Sequence, residues 1–343
     1  MSEATNEGVT EVQAPKKPGA VRAAWQGWPG RIARLTLAML PLVWLFKRVD
    51  WRDVMGHARE VGATAMFLSW FSLIVSTFIG TIRWGVMMRA YGAERVPSAG
   101  RLMVHNMVGH WFNVLPSGVA GDAVRAHRVR DALPTPATSF VVIFVERIAG
   151  LVGLCVVALA ALALSPNLRS DVTTWAMRAG VAGAFALGAV VCALPYVLSR
   201  NEGLRALALR VPILGPIVTW IPPARDVFRV QLAVVMSIFT QVAAITAMAI
   251  PVMALAPNVD VVTAFRIIPV IILFTYIPLT PGGLGQREAA FVTLFATVGV
   301  SRAAALTSSL LVFSAYMALA ASGGICLLGE KLLLKEETAE AER

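Results

Sequence analysis

Long apolar runs separated by short arginine-rich segments constrain this chain more than any other feature of its sequence. Residues 140–164 and 232–256 each exceed the length of about 20 mostly apolar residues that crosses a bilayer as a helix. The chain is 57% hydrophobic and only 15% charged, whereas soluble domains have about 45–50% apolar and about 25% charged residues. Because the strand alternation of an outer-membrane barrel is not seen, the prediction is an all-α, polytopic integral membrane protein.

Six spanning helices are predicted from the lengths of the apolar runs. They cover residues 31–48, 62–82, 137–164, 175–198, 232–255 and 303–329. The transmembrane domain is therefore expected at 31–330. Residues 1–30 are polar and rich in proline and glycine, which predicts a disordered cytoplasmic tail. Residues 331–343 are predicted to form a cytoplasmic tail at the other end.

Two further apolar stretches are interrupted. Residues 101–115 run into Pro116, and residues 263–300 are broken by Pro278, Pro281 and a run of glycines. Irregular backbone at membrane depth is tolerated only against protein or a water-filled cavity. Each stretch is therefore predicted to be a re-entrant hairpin, the first entering from the cytoplasm and the second from outside, as in an inverted pseudo-repeat.

The distribution of arginine predicts the orientation, because cytoplasmic loops of membrane proteins are enriched in Lys and Arg. A cluster of Arg83, Arg89, Arg95 and Arg101 follows the second predicted span and would face the cytoplasm, whereas residues 256–262 contain no Lys or Arg and would face outward. The predicted outer loop 47–61 disagrees, since it carries four basic residues. Both termini are expected on the cytoplasmic side of a bacterial-type inner membrane.

The net charge of +10 does not indicate nucleic acid, because no basic face with interleaved aromatic residues is present. Metal binding is not predicted either. His105 and His110 are five residues apart rather than the four that align two ligands on a helix, and no carboxylate cluster accompanies them. No dinucleotide or Walker motif is found, so no cofactor is predicted.

The first candidate site lies at the first interruption and contains Asn113, Gly118, Gly121, Asp122 and Arg125. Asp122 is predicted to cap the helix that follows, whose free N–H groups would favour an anion. Arg125 lies three residues later and shares the helix face of Asp122. The alternative is a cytoplasmic turn with a helix cap and a surface ion pair.

The second candidate site lies at the second interruption and contains Pro281, Gly282, Gly283, Gly285, Arg287 and Glu288. Apolar runs flank it on both sides, and a charged side chain at mid-membrane costs about 2.5–3.5 kcal/mol on insertion scales. The planar guanidinium of Arg287 suits a phosphate. The alternative is an exposed outer loop.

Glu146 and Arg147 form a third candidate site inside an apolar run. Adjacent helical residues point about 100° apart, so these two need not pair with each other. Glu146 is instead predicted to meet Arg125 or Arg287. In the alternative interpretation, both residues lie near the cytoplasmic edge of the membrane and Arg147 extends to the surface.

Together these motifs resemble the flippase-like transmembrane domain of lysylphosphatidylglycerol synthases, a family with stand-alone members and hopanoid-biosynthesis-associated membrane proteins. The resemblance covers residues 31–330 and rests most on the string Pro-Gly-Gly-Leu-Gly-x-Arg-Glu. The chain has Gly121-Asp122 where the family often has Gly-Glu. The resemblance implies transfer of an aminoacylated or otherwise modified lipid between leaflets, with roles for Asp122, Arg125, Glu146, Arg147, Arg287 and Glu288.

The expected function is binding and translocation of an anionic or modified lipid. The bifunctional relatives add a soluble aminoacyl-transferase domain, which this chain is expected to lack, so it is not expected to be an enzyme. Expected partners are the lipid substrate, the bilayer and a separate lipid-modifying enzyme, and homo-oligomerisation stays open. Two alternatives remain at this point: a membrane-embedded glycosyl or lipid transferase that uses a polyprenyl-phosphate donor, and a non-transporting partner of lipid synthesis.

Overall fold

The computed structural model describes residues 51–113, 120–164, 224–276 and 285–341, together with short stretches between 175 and 210. In these residues the named elements are nine α helices and one 3-10 helix, and no strand occurs among them. The α helices are α1 (Trp51–Glu60), α2 (Gly62–Ala90), α3 (Ala99–Asn113), α4 (Ala120–Arg128), α5 (Pro136–Ala163), α6 (Val227–Leu255), α7 (Val261–Thr275), α8 (Gln286–Ala296) and α9 (Arg302–Ala341). The all-α prediction is confirmed.

Four helices, α2, α5, α6 and α9, are long and apolar enough to cross a membrane, the last of them over Arg302–Glu330. They coincide with four of the six predicted spans, so the chain is a polytopic membrane protein. The predicted span at 31–48 lies outside the described residues, and the one at 175–198 is represented by a shorter apolar helix, Arg178–Val190, that is described only in part. Helix α9 continues to Ala341, so most of the predicted C-terminal tail is helical.

Helix α2 is longer than predicted, and this changes the place of two arginines. The predicted cytoplasmic loop after residue 82 is wrong at its start, because the helix continues to Ala90. Arg83 is buried within it at 7% exposure, whereas Arg89 is exposed. The helix continues because Trp84 and Met87 are fully buried and extend its apolar contact with the bundle.

Helices α2 and α6 pack closely along a seam of small hydroxyl residues. Ser69 donates a hydrogen bond to the carbonyl of Ala247 at 2.6 Å, and Ser76 donates to that of Thr240 at 2.9 Å. Small residues let membrane helices approach each other closely. Because the contacts move towards the start of α6 as they move along α2, the two helices are antiparallel.

Helix α5 runs in the same direction as α6. Val141 and Val230, near the two helix starts, belong to one apolar cluster, while Leu154 and Ile245, farther along, belong to another. Helix α9 runs in the direction of α2, since Thr307 near its start donates to the carbonyl of Val54, just before α2, at 3.4 Å.

Two pairs of short helices join the long ones, α3–α4 between α2 and α5, and α7–α8 between α6 and α9. Helices α3 and α7 have 15 residues each, or about 22 Å at 1.5 Å per residue, less than the hydrocarbon thickness of about 30 Å. The two predicted interruptions, with Gly118, Pro281, Gly282 and Gly283, fall between the helices of each pair and lie outside the described residues.

The predicted outer loop 47–61 is wrong over its second part, because residues Trp51–Glu60 form helix α1. Val54 is buried in the main apolar cluster, whereas the charged side chains of Arg52, Asp53, Arg59 and Glu60 are exposed. This separation of apolar and charged faces is typical of a helix that lies on the surface of a bundle.

Candidate functional site

Three charged side chains meet inside the bundle. Glu146 on α5 is 4% exposed, Arg83 on α2 is 7% exposed and Arg125 on α4 is 9% exposed. Arg83 Nη2 donates to Glu146 Oε1 and Arg125 Nη2 donates to Glu146 Oε2, each at 2.9 Å. We call these three residues the buried ion triad.

Contacts from further residues fix the two guanidinium groups of the buried ion triad. Arg83 Nη1 donates to the hydroxyl of Ser237 on α6 at 2.8 Å. The guanidinium of Arg125 lies over the indole of Trp84, 4.4 Å from the ring centroid, which is a cation–π contact. Four helices therefore converge on Glu146, and its position depends on the packing of all of them.

The buried ion triad carries more positive than negative charge. Two guanidinium groups share one carboxylate, so one positive charge is not compensated within the triad. The Nε atoms of Arg83 and Arg125 and the indole nitrogen of Trp84 are buried and have no hydrogen-bond partner among the described residues. Buried charge without a counter-ion is costly, so the arrangement favours an additional anion.

Asp122 contacts Arg125 of the buried ion triad and Arg147 beside it. Its carboxylate accepts from Arg147 Nε and lies 3.7 Å from Arg125 Nη1. Asp122 and Arg147 add one charge of each sign, so the surplus of one positive charge persists. Arg147 is 42% exposed, so it reaches the surface as the alternative interpretation expected, while Asp122 is held inside.

The predicted role of Asp122 as a helix cap is wrong. Helix α4 begins at Ala120, which places Asp122 in its first turn rather than before it. The backbone N–H of Gly121 donates instead to Oδ1 of Asn113, at the end of α3, at 3.0 Å. Asn113 therefore joins the two short helices, and the carboxylate of Asp122 is left for Arg147 and Arg125.

Two glycines allow α3 and α4 to cross closely beside the triad. A Cβ atom on Gly121 would lie 2.0 Å from the carbonyl oxygen of Gly109, and one on Gly109 would lie 2.8 Å from Cδ of Arg125. Contacts this short exclude any side chain at either position. The glycines therefore set the distance between the short helices and hold Arg125 in place.

Gly121→Ala is expected to lower the free energy of unfolding by about 1–3 kcal/mol, because the added methyl group forces the backbones of α3 and α4 apart. Gly100→Ala is the matched control on α3, since a Cβ atom there meets no atom of the described residues within 4 Å. Thermal unfolding of the purified protein in detergent measures both. Equal stability of the two variants would contradict the close crossing.

The second candidate site is a neutral, buried pair at the start of α8. Arg287 and Glu288 are 8% and 1% exposed and are hydrogen bonded to each other. Glu288 Oε2 accepts from the backbone N–H of Gly285 at 2.6 Å, and Ser309 on α9 donates to Oε1 at 3.2 Å. The guanidinium of Arg287 lies 5.0 Å from the ring centroid of Phe313. The exposed-loop alternative is wrong for these two residues.

Of the two partners predicted for Glu146, Arg125 is confirmed, whereas Arg287 pairs with Glu288. Sequence reasoning missed Arg83 because its charge indicated a loop. The signal that identifies it is the continuing apolar pattern of Trp84 and Met87, which predicts that the helix extends beyond residue 82.

A third ion pair joins the end of α4 to α9. Arg128 donates to both carboxylate oxygens of Glu330, at 3.0 and 2.8 Å, and its Nη1 lies 3.1 Å from Nδ1 of His105. The described residues contain no group of three His, Cys, Asp or Glu side chains that could hold a metal ion. This pair is half-buried and acts as a tie between helices.

Comparison with known proteins identifies the family. The model of the lysylphosphatidylglycerol synthase TM region matches residues 31–323. Searches of the curated proteins and of the solved structures found no match. The matched residues include all three candidate sites and every long helix except the end of α9, and this extent shows that the chain belongs to the lysylphosphatidylglycerol synthase TM region family.

Proposed function

We propose that this protein binds the anionic head group of a membrane lipid and moves that lipid between the two leaflets. The observation that carries the proposal is the surplus positive charge of the buried ion triad, inside helices long enough to span a membrane. Ionisable residues inside membrane helices are costly, and they mark transport pathways and substrate sites by default. Membership of a membrane-lipid family supports a lipid as the substrate.

The proposed topology has six spans and one re-entrant hairpin from each side. Helices α5 and α6 run in the same direction, so the chain between them has to return across the membrane, and Arg178–Val190 is the apolar helix available for this. The pair α3–α4 connects the end of α2 to the start of α5, and these two ends lie on one side of the bundle. The pair α7–α8 connects the end of α6 to the start of α9, and these ends lie on the opposite side. Short helices that enter and leave on one side fit re-entrant hairpins.

We place the protein in a bacterial-type inner membrane with both termini in the cytoplasm. The support is the arginine-rich sequence around the end of α2 and the start of α6, compared with the segment between α6 and α7, which has no Lys or Arg. A separate lipid-modifying enzyme is the proposed source of any modified lipid.

The transferase alternative needs a carboxylate that acts as a base or binds a metal. The three candidate carboxylates are all held by arginine. Glu146 accepts from two guanidinium groups, Asp122 contacts Arg147 and Glu288 is bonded to Arg287. Abstracting a proton would require a carboxylate to leave these contacts, so the arrangement favours binding of an anion over acid–base chemistry.

Leaflet-resolved labelling of lipids in a strain that lacks the protein tests the proposal. Arg125→Met removes the surplus charge but leaves Arg83 paired with Glu146, so this variant is expected to fold. We expect an anionic lipid to accumulate in one leaflet of the deletion strain, wild-type protein to restore its distribution, and Arg125→Met to fail. An unchanged distribution of every anionic lipid on deletion would contradict the proposal.

A further inference from the structure

Three polar atoms from three segments of the bundle converge on Gly150, at the middle of α5. A Cβ atom built on Gly150 would lie 3.4 Å from Nη1 of Arg83, 3.7 Å from Nε2 of Gln241 and 3.7 Å from the hydroxyl of Tyr276, its nearest neighbours among the described residues outside its own helix backbone. All three are hydrogen-bond donors. The absence of a side chain at Gly150 therefore leaves one point within reach of three donors, which we call the Gly150 notch.

The donors of the Gly150 notch are not exhausted by their contacts within the protein. Arg83 Nη1 donates to Ser237, and Gln241 Nε2 donates to the carbonyl of Gly150 at 3.1 Å, but each of these nitrogens carries a second N–H. Arg83 Nε is buried and has no hydrogen-bond partner among the described residues. Donors that converge on one point and keep an N–H beyond their contacts within the protein favour an oxygen atom that bears negative charge.

The position of the notch connects the buried ion triad with the second hairpin. Arg83 belongs to the triad, while Tyr276 follows α7 directly, at the start of the undescribed segment of that hairpin. Tyr276 as a residue is 39% exposed, so part of its side chain lies at the edge of the packed core. A ligand at this point would contact both halves of the bundle at once.

We propose that the Gly150 notch binds a phosphate oxygen of the transported lipid, with Arg83, Gln241 and Tyr276 as donors. The inference rests on the proposed function and specifies its substrate class as phospholipids whose phosphate charge is not balanced by an amine. The single surplus positive charge of the triad together with Asp122 and Arg147 matches one phosphodiester charge. Arg83 gives both the charge and a planar set of donors suited to phosphate.

Gly150→Ala tests the notch without removing a charged or bonded side chain. The added methyl group would meet its neighbours at ordinary van der Waals distances, so the fold can accept it. Alanine also favours the helix more than glycine does. If Gly150 were only a packing position, the substitution would therefore leave function intact.

Tyr276→Phe is the second variant and removes one donor. Gly80→Ala is the matched control on α2, because its nearest neighbour is a methyl group of Thr240 at 3.8 Å.

The measurement is calorimetric titration of the purified full-length protein in detergent with short-chain phosphatidylglycerol, phosphatidylcholine and inorganic phosphate, beside thermal unfolding. We expect wild-type protein and Gly80→Ala to bind phosphatidylglycerol in preference to phosphatidylcholine. Gly150→Ala and Tyr276→Phe are each expected to weaken that binding about tenfold, without a lower unfolding temperature. The methyl group of the first variant occupies space that the phosphate oxygen needs, and the second variant loses a hydrogen bond to a charged oxygen.

Unchanged binding of phosphatidylglycerol by Gly150→Ala would overturn the inference, as would a wild-type protein that shows no saturable binding of it. Saturable binding of inorganic phosphate alone, lost in Gly150→Ala, would assign the notch to free phosphate and overturn the lipid assignment. The proposed function is judged separately, by measuring translocation. If both variants lose binding, the notch is supported even when no transport is detected. If the protein transports lipid but both variants bind it as the wild type does, only the notch is refuted.

Discussion

Glu146→Gln is expected to lower the free energy of unfolding by about 3–5 kcal/mol and to abolish lipid translocation. The substitution leaves the guanidinium groups of Arg83 and Arg125 buried side by side without their shared carboxylate, and removing one partner of a buried ion pair costs an amount of this order. Thermal or denaturant unfolding of the purified protein in detergent measures the first effect. The second is measured as leaflet exchange in vesicles.

Two variants test the reason for this loss. Glu330→Gln makes the same chemical change in the half-exposed pair with Arg128, where the expected cost is under about 1 kcal/mol. The double variant Glu146→Gln with Arg83→Met restores the charge balance and should recover part of the stability but no transport. Equal effects of Glu146→Gln and Glu330→Gln would contradict the account of the triad.

Arg287→Met is expected to destabilise the protein by about 3–5 kcal/mol as well, because it leaves the carboxylate of Glu288 buried. Within the part of the chain that the structure describes, only the N–H of Gly285 and the hydroxyl of Ser309 then donate to it. The double variant with Glu288→Gln removes both charges and keeps an acceptor for Gly285, so most of the stability should return. Unfolding in detergent of the wild type, the two single variants Arg287→Met and Glu288→Gln, and the double variant gives the coupling energy between the paired residues.

Arg302→Met is the control for this pair, since Arg302 is exposed at the start of α9 and its loss should change stability by less than about 0.5 kcal/mol. If the second hairpin takes part in transport, the neutral double variant should fold and yet translocate slowly. A double variant as unstable as Arg287→Met alone would contradict the claim that the loss comes from an unpaired Glu288 carboxylate.

Long helices could be predicted because length and apolarity alone decide whether a segment spans a membrane. The predicted spans 62–82 and 137–164 correspond to α2 and α5, with the start of α5 placed to within a residue. The end of α2 could not be predicted by the same reasoning. Arg83 looks like a loop residue until its partners Glu146 and Ser237, far away in sequence, bring it into the core.

The candidate charges were identifiable from the sequence because charged residues inside apolar runs are rare. Which residue each charge pairs with was only partly identifiable from the sequence. The contact between Glu146 and Arg125 follows from the hairpin prediction, but the cap on α4 comes from Asn113 rather than Asp122. Arg287 reaches its immediate neighbour because its side chain is long and Glu288 bonds back to Gly285.

The most direct test of the central claim is the exchange of fluorescently labelled lipids between leaflets of vesicles that contain the purified protein. The account predicts that wild-type protein accelerates the exchange of labelled phosphatidylglycerol more than that of labelled phosphatidylcholine. Arg125→Met removes the surplus positive charge but keeps Glu146 paired, and it is predicted to abolish this preference. Equal exchange of both lipids, or an undiminished preference in Arg125→Met, would contradict the claim that the buried ion triad recognises an anionic head group.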